Sequence, residues 1–98
     1  MALLEYEKFS GTGDLDLTAR GKSQLYGILV RESATTPAAA TVLVRNGGAT
    51  GDVVVPVELA ANESKAIVFP HPVRFPGGVY VDVAAGEVEG SVVGQWGS

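Results

Sequence analysis

His71 is the chain's only imidazole, and it lies between two prolines in Phe69-Pro70-His71-Pro72-Val73-Arg74-Phe75-Pro76-Gly77-Gly78. An imidazole can serve as a general base, a proton shuttle or a metal ligand, but each role needs a partner group beside it. No nucleophile or carboxylate lies in this stretch. The sequence therefore predicts that His71 is a solvent-facing loop residue. Paired carboxylates offer a second route to acid and base chemistry. Glu5 stands two residues from Glu7, and Glu87 two residues from Glu89. Residues so spaced on a strand share one face, where they could work as acid and base. Nothing around them suggests a cleft, and a solvated strand face accounts for both pairs.

Nucleotide and metal chemistry find less support. Gly21-Lys22-Ser23 ends like a phosphate-cradling loop, but Asp16 stands where the first glycine of that loop belongs, and its carboxylate would repel phosphate. Gly11-Thr12-Gly13 fails as a dinucleotide turn for the same reason, with Asp16 again in the place of a glycine. With no cysteine and one histidine, a soft-ligand metal site has nothing to build on. Asp14 and Asp16 lack the further oxygen ligands of a calcium loop, so GTGDLDLT reads as a turn followed by a strand. The residues thus point to no catalytic, cofactor-binding or metal-binding set, and the expectation is a protein that is not an enzyme.

The elements that would position these groups all show a period of two. SQLYGILVRE sets Leu25, Gly27 and Leu29 against Tyr26, Ile28 and Val30; both sets are apolar, as in a central strand covered on each side. ATVLVRN and DVVVPVELA flank Asn46-Gly47-Gly48-Ala49-Thr50-Gly51-Asp52, which has the residues of a hairpin tip. Pro56 has no N–H for a ladder and belongs on a sheet edge or at a bulge. Ala60-Ala61-Asn62-Glu63-Ser64 is a turn, and its glycosylation sequon needs a secretory path that the N-terminal residues do not announce.

The proline-rich stretch is expected to be a stiff crossing between sheets, with Phe69 and Phe75 as plugs at the ends of the core. VYVDVAAG and EVEGSVVGQW follow. With ALLEYEKF and GDLDLT the count is seven or eight short strands. The fold class expected is all-β, an antiparallel β-sandwich (jelly-roll or Ig-like) or small barrel, in a single domain over residues 1–98. Residues 1–9 form an edge strand or an arm that docks on a neighbour.

Composition sets limits on partners. The chain carries 15 valines, 2 isoleucines and a formal charge of −4. Neutralising phosphates takes clustered Lys and Arg, and its seven basic residues are scattered, so no nucleic acid is expected. No apolar run reaches the roughly 20 residues of a membrane helix, so no membrane is expected. A small-residue core without disulfides makes assembly with other subunits an attractive source of stability.

Residues 59–93, LAANESKAIVFPHPVRFPGGVYVDVAAGEVEGSVV, together with SQLYGILVRESATTPAAATVLVRNG, resemble small tailed-phage virion proteins. The shared pattern is an "LYGI" strand, a "V-x-V-R-N/D-G" strand, an "LAANES"-type turn, a "P-x-RF-x-GG-V/L-Y-V" segment and a glycine-rich end containing "VEG". The resemblance implies a virion protein made in the host cytoplasm, most simply a capsid decoration protein acting as a homotrimer on the major capsid protein. Other virion positions it allows are the head–tail junction and the tail. A rival reading is a carbohydrate- or host-binding sandwich, which would need Trp96, Tyr80 and Tyr6 exposed in one plane. The docking residues implied are Leu3, Leu4 and Tyr6 as an arm, Arg74 and Phe75 at the stiff corner, and Trp96 near the other end.

Overall fold

Alternating valines separated by glycine-rich breaks become eight strands in the computed structural model, which describes residues 4–97. In chain order they are β1 (Glu5–Gly11), β2 (Leu15–Asp16), β3 (Ser23–Glu32), β4 (Ala40–Asn46), β5 (Asp52–Leu59), β6 (Ser64–Phe75), β7 (Val79–Ala85) and β8 (Val88–Trp96). One turn of 3-10 helix, Thr18–Arg20, is the only other regular element among the described residues.

The strands form two antiparallel four-stranded sheets in the orders β1-β8-β3-β6 and β2-β7-β4-β5. Behind this order is a nested pairing: β4 with β5, β3 with β6, β2 with β7 and β1 with β8. One long antiparallel ribbon, doubled at the β4–β5 hairpin and rolled over itself, gives the jelly-roll form of the β-sandwich. The hairpin tip is where the sequence puts it, with Gly47 and Gly48 at φ of 94° and 136°, a region that costs glycine nothing.

Between the sheets lies a core of small and medium side chains. Leu25, Ile28, Val42, Val44, Phe75, Val79, Val81, Val88 and Val92 are wholly buried. Phe69, Val73 and Trp96 pack against them from the margin. In β7 the burial pattern alternates as one inward face requires, with Val79, Val81 and Val83 inside while Tyr80 and Asp82 point out.

Two expectations fail here, both through irregular pairing. The register of β3 slips between Leu25 and Gly27 against both neighbours. Tyr26 is the extra residue relative to β8, and such a bulge inverts the alternation beyond it. Ile28, Val30 and Glu32 therefore join Leu25 inside, while Leu29 is 45% exposed. So β3 is central in hydrogen bonding, yet only one of its faces is covered. The same slip sets Phe69–Pro72, four residues of β6, opposite the single Tyr26. The proline-rich stretch is therefore the second half of an edge strand and not a crossing between sheets. Prolines are tolerated there because an edge strand leaves half its N–H groups without a ladder partner. After β6 the chain crosses to the other sheet at Pro76-Gly77-Gly78, where the Gly78 N–H donates to the Phe75 carbonyl at 3.1 Å. Pro56 also lies on an edge strand, β5.

Candidate functional site: the outer faces of the two sheets

Strand register fixes which side chains share the outer face of the β1-β8-β3-β6 sheet. Three rows cross it: Tyr6, Val93, Gly27 and Val68; then Lys8, Ser91, Leu29 and Ala66; then Ser10, Glu89, Arg31 and Ser64. A further row holds Gln95, Gln24 and Arg74. Exposed apolar surface concentrates here, with Val68 at 75%, Tyr6 at 64% and Leu29 at 45%. Leu4, exposed and two residues before Tyr6, continues the strip. The small residues of the middle strands leave an open trough of about 920 Å³, lined by Tyr6, Lys8, Leu29, Arg31, Ala66, Glu89 and Ser91 among others. A side chain at Gly27 would meet the Ile67 carbonyl oxygen at 2.7 Å, so glycine is what lets β3 and β6 approach there.

The opposite face, on β2-β7-β4-β5, has a different character. Leu43 pairs with Pro56 and Asp82, and Arg45 with Tyr80 and Val53. The Arg45 guanidinium donates to the Asp82 carboxylate at 3.1 Å and to the Gly51 carbonyl at 2.9 Å. The Tyr80 hydroxyl donates to Asp14 at 2.7 Å, and the other oxygen of that carboxylate accepts from the Val83 N–H at 2.8 Å. That hydrogen bond, with burial and the charges of Asp14, Asp16 and Asp82, pushes the Tyr80 phenol up to about 12. Asp16 accepts from the Thr18 hydroxyl at 2.5 Å and its N–H at 2.9 Å, which holds its carboxyl below the ordinary value. Both aspartates weighed as calcium ligands thus serve as turn and strand braces.

Glu32 is the charged residue that sequence reasoning missed. It is 6% exposed at the end of β3, where its oxygens accept from the Asn62 N–H at 2.8 Å and the Ala34 N–H at 2.6 Å. The Asn62 bond outweighs burial and, with the bonds from Ala34 and Ala38, lowers its pKa. One carboxylate so ties the 33–39 loop to the 60–63 turn, where Asn62 takes a φ of 63°. The available signal was a lone glutamate closing an apolar strand. It reads equally well as a solvated strand end.

The docking residues implied by resemblance fare unevenly. Leu4 and Tyr6 lie exposed at the β1 side of the apolar face, and Arg74 lies exposed at its β6 side. Phe75 is wholly buried, so it plugs the core and presents nothing to a partner. Trp96 follows the inward parity of Val92 and Gly94, its indole N–H is buried without a partner, and it too belongs to the core margin. Leu3 lies outside the described residues. Leu29, Val68 and Val93 were missed, because apolar residues on both faces of a strand read as burial on both, and Lys8 reads as a solvated surface charge.

The chemistry candidates remain apart. His71 is exposed in the β6 irregularity and lines neither the trough nor the small depression formed by Lys22, Ser23, Gln24 and Arg74. Glu7 pairs with Arg20 at 3.1 Å and Glu89 with Arg31, while Glu87 sits in the turn before β8. Comparison with known proteins finds no match, whether among family models, curated proteins or solved structures.

Proposed function

We propose that this chain works by adhesion, as a structural protein of a phage particle that docks its β1-β8-β3-β6 face on a neighbouring virion protein. Decoration of the capsid shell is the form the resemblance implies. The observation that carries the reading is the exposed strip of Leu4, Tyr6, Leu29 and Val68 on one sheet face. A hydrophobic group left in water forgoes roughly 25 cal/mol for each Å² that a partner could cover. Such a strip, rimmed by charge, is the anatomy of a protein interface. The fold adds nothing to this, because jelly rolls host many unrelated functions.

A sugar-binding platform would need rings gathered in one plane. Tyr6 faces out from one sheet, Tyr80 from the other, and Trp96 points inward. That arrangement favours adhesion to protein over stacking on a sugar.

The test is to mix purified protein with expanded, undecorated phage shells and look for added density. Wild type should bind and Val68→Glu should not, with both equally folded. Absence of wild-type binding would overturn the shell reading and move the proposal to a tail or host-binding position.

A further inference from the structure

The two broad faces of the sandwich carry opposite charge beside exposed apolar residues. Among the described residues the β1-β8-β3-β6 face presents three cations, Lys8, Arg31 and Arg74, and one carboxylate, Glu89. Arg31 pairs with Glu89, while Lys8 and Arg74 have no ion-pair partner among the described residues. The other face presents four carboxylates, Asp14, Asp16, Glu58 and Asp82, and one cation, Arg45, which pairs with Asp82. Its β5 side is also apolar, with Val53 42% and Val54 39% exposed beside Leu43 and Pro56.

We infer that the partner of the apolar strip is a second copy of this chain, the cationic β1-β8-β3-β6 face of one copy packing on the acidic β2-β7-β4-β5 face of the next. A twofold pair of cationic faces would bring Lys8 and Arg74 towards their own kind, whereas the head-to-tail contact sets each sign against its opposite. The available area suffices. A slab of 42 × 25 × 17 Å has about 1,000 Å² on each broad face, so a contact covering most of it buries within the roughly 1,200–2,000 Å² of standard interfaces. Because the two faces lie on opposite sides of one slab, the contact is heterologous and repeats. A ring of three closes only where each contact also turns the slab; without that turn the stack stays open. The inference rests on the adhesion reading and deepens it, since the terminal copy of any stack keeps one uncovered face for the shell.

The experiment is sedimentation of the full chain and of two face-blocked variants, alone and mixed. Val68→Glu places an anion on the apolar strip of the cationic face, and Val54→Lys a cation on the acidic one; both sites are exposed, and circular dichroism checks folding. Lys8→Glu and Glu58→Lys are the substitutes should either fail to fold. Wild type should grow in mass with concentration, and association should weaken about tenfold between about 0.05 M and about 0.5 M NaCl as the Debye length shortens. Each variant alone should be monomeric, and the mixture should give a one-to-one dimer, because each supplies the face the other has lost. Wild type that stays monomeric at every concentration, or a mixture that stays monomeric, would overturn the inference. So would Val68→Glu associating alone. Shell binding by dilute monomer is measured separately, so adhesion to the shell can stand while the stack fails.

Discussion

Truncating two neighbouring residues of β3 tests the bulge that decides which side chains the trough displays. An unbroken alternation makes Leu29 a face-mate of Leu25 and sends Ile28 to the other side. The structure reverses this, with Ile28 at 0% and Leu29 at 45% exposure. Cutting either residue to alanine removes about three carbons, each worth about 0.8 kcal/mol when buried. For Ile28→Ala that is about 2.4 kcal/mol of transfer energy, and the cavity left in a packed core raises the total to roughly 3–4 kcal/mol. Leu29→Ala empties no enclosed space and loses about 1 kcal/mol, since nearly half of the side chain already meets water. Urea denaturation followed by the fluorescence of the only tryptophan, Trp96, measures both, with an unchanged slope showing that the comparison is one of stability alone. If Leu29→Ala costs as much as Ile28→Ala, the Tyr26 bulge is misplaced, and the apolar trough goes with it.

Further outcomes follow from the same geometry. Phe75→Ala should cost about 3–5 kcal/mol while the adjacent Arg74→Ala stays within about 0.5 kcal/mol, because one ring is enclosed and the other side chain is in solvent; equal costs in urea would count against it. Glu32 has a lowered pKa, so its stabilisation is present above its ordinary value of 4.5 and is lost as pH falls through the lower folded value. Glu32→Gln should therefore be less stable than wild type at neutral pH, with the two melting curves converging in acid; parallel curves would refute the clamp. Tyr80 has a raised pKa, so its contribution is present below pH 10.0 and is lost as pH rises through about 12. Ultraviolet titration should show a late phenol step near 12 that Tyr80→Phe removes, and a step that survives the substitution would assign it elsewhere.

Much of the fold was legible because valine alternation and turn chemistry are local signals. Gly47, Gly48 and Asn62 take the positive φ that their types invite, and Pro56 lies on an edge. What failed was non-local. A bulge such as that at Tyr26 is a mismatch between partner strands, and no single strand carries the information for it. The prolines of β6 read as a crossing because their lost hydrogen bonds look prohibitive until the strand is known to have one neighbour. Site residues suffered the same ambiguity. Phe75 and Val68 are both apolar residues in β6, and only pairing with β3 separates the one that fills the core from the one that meets water.

The distribution of valine carries the argument from fold to function one step further. Of 15 valines, ten are buried and Val73 packs against the core. The remaining four are Val53 and Val54 on the acidic face and Val68 and Val93 on the cationic one. Strand propensity alone would be served as well by threonine, which is β-branched and keeps its hydroxyl in water. The chain places threonine on an outer face only once within its strands, at Thr41. Apolar groups on both outer faces therefore exceed what the sandwich needs for its own pairing, and they sit where opposite charges would bring two slabs together. Replacing Val53, Val54, Val68 and Val93 by threonine should leave the urea midpoint nearly unchanged while abolishing mass growth in sedimentation. A large loss of stability in that variant would show that these valines serve the fold itself.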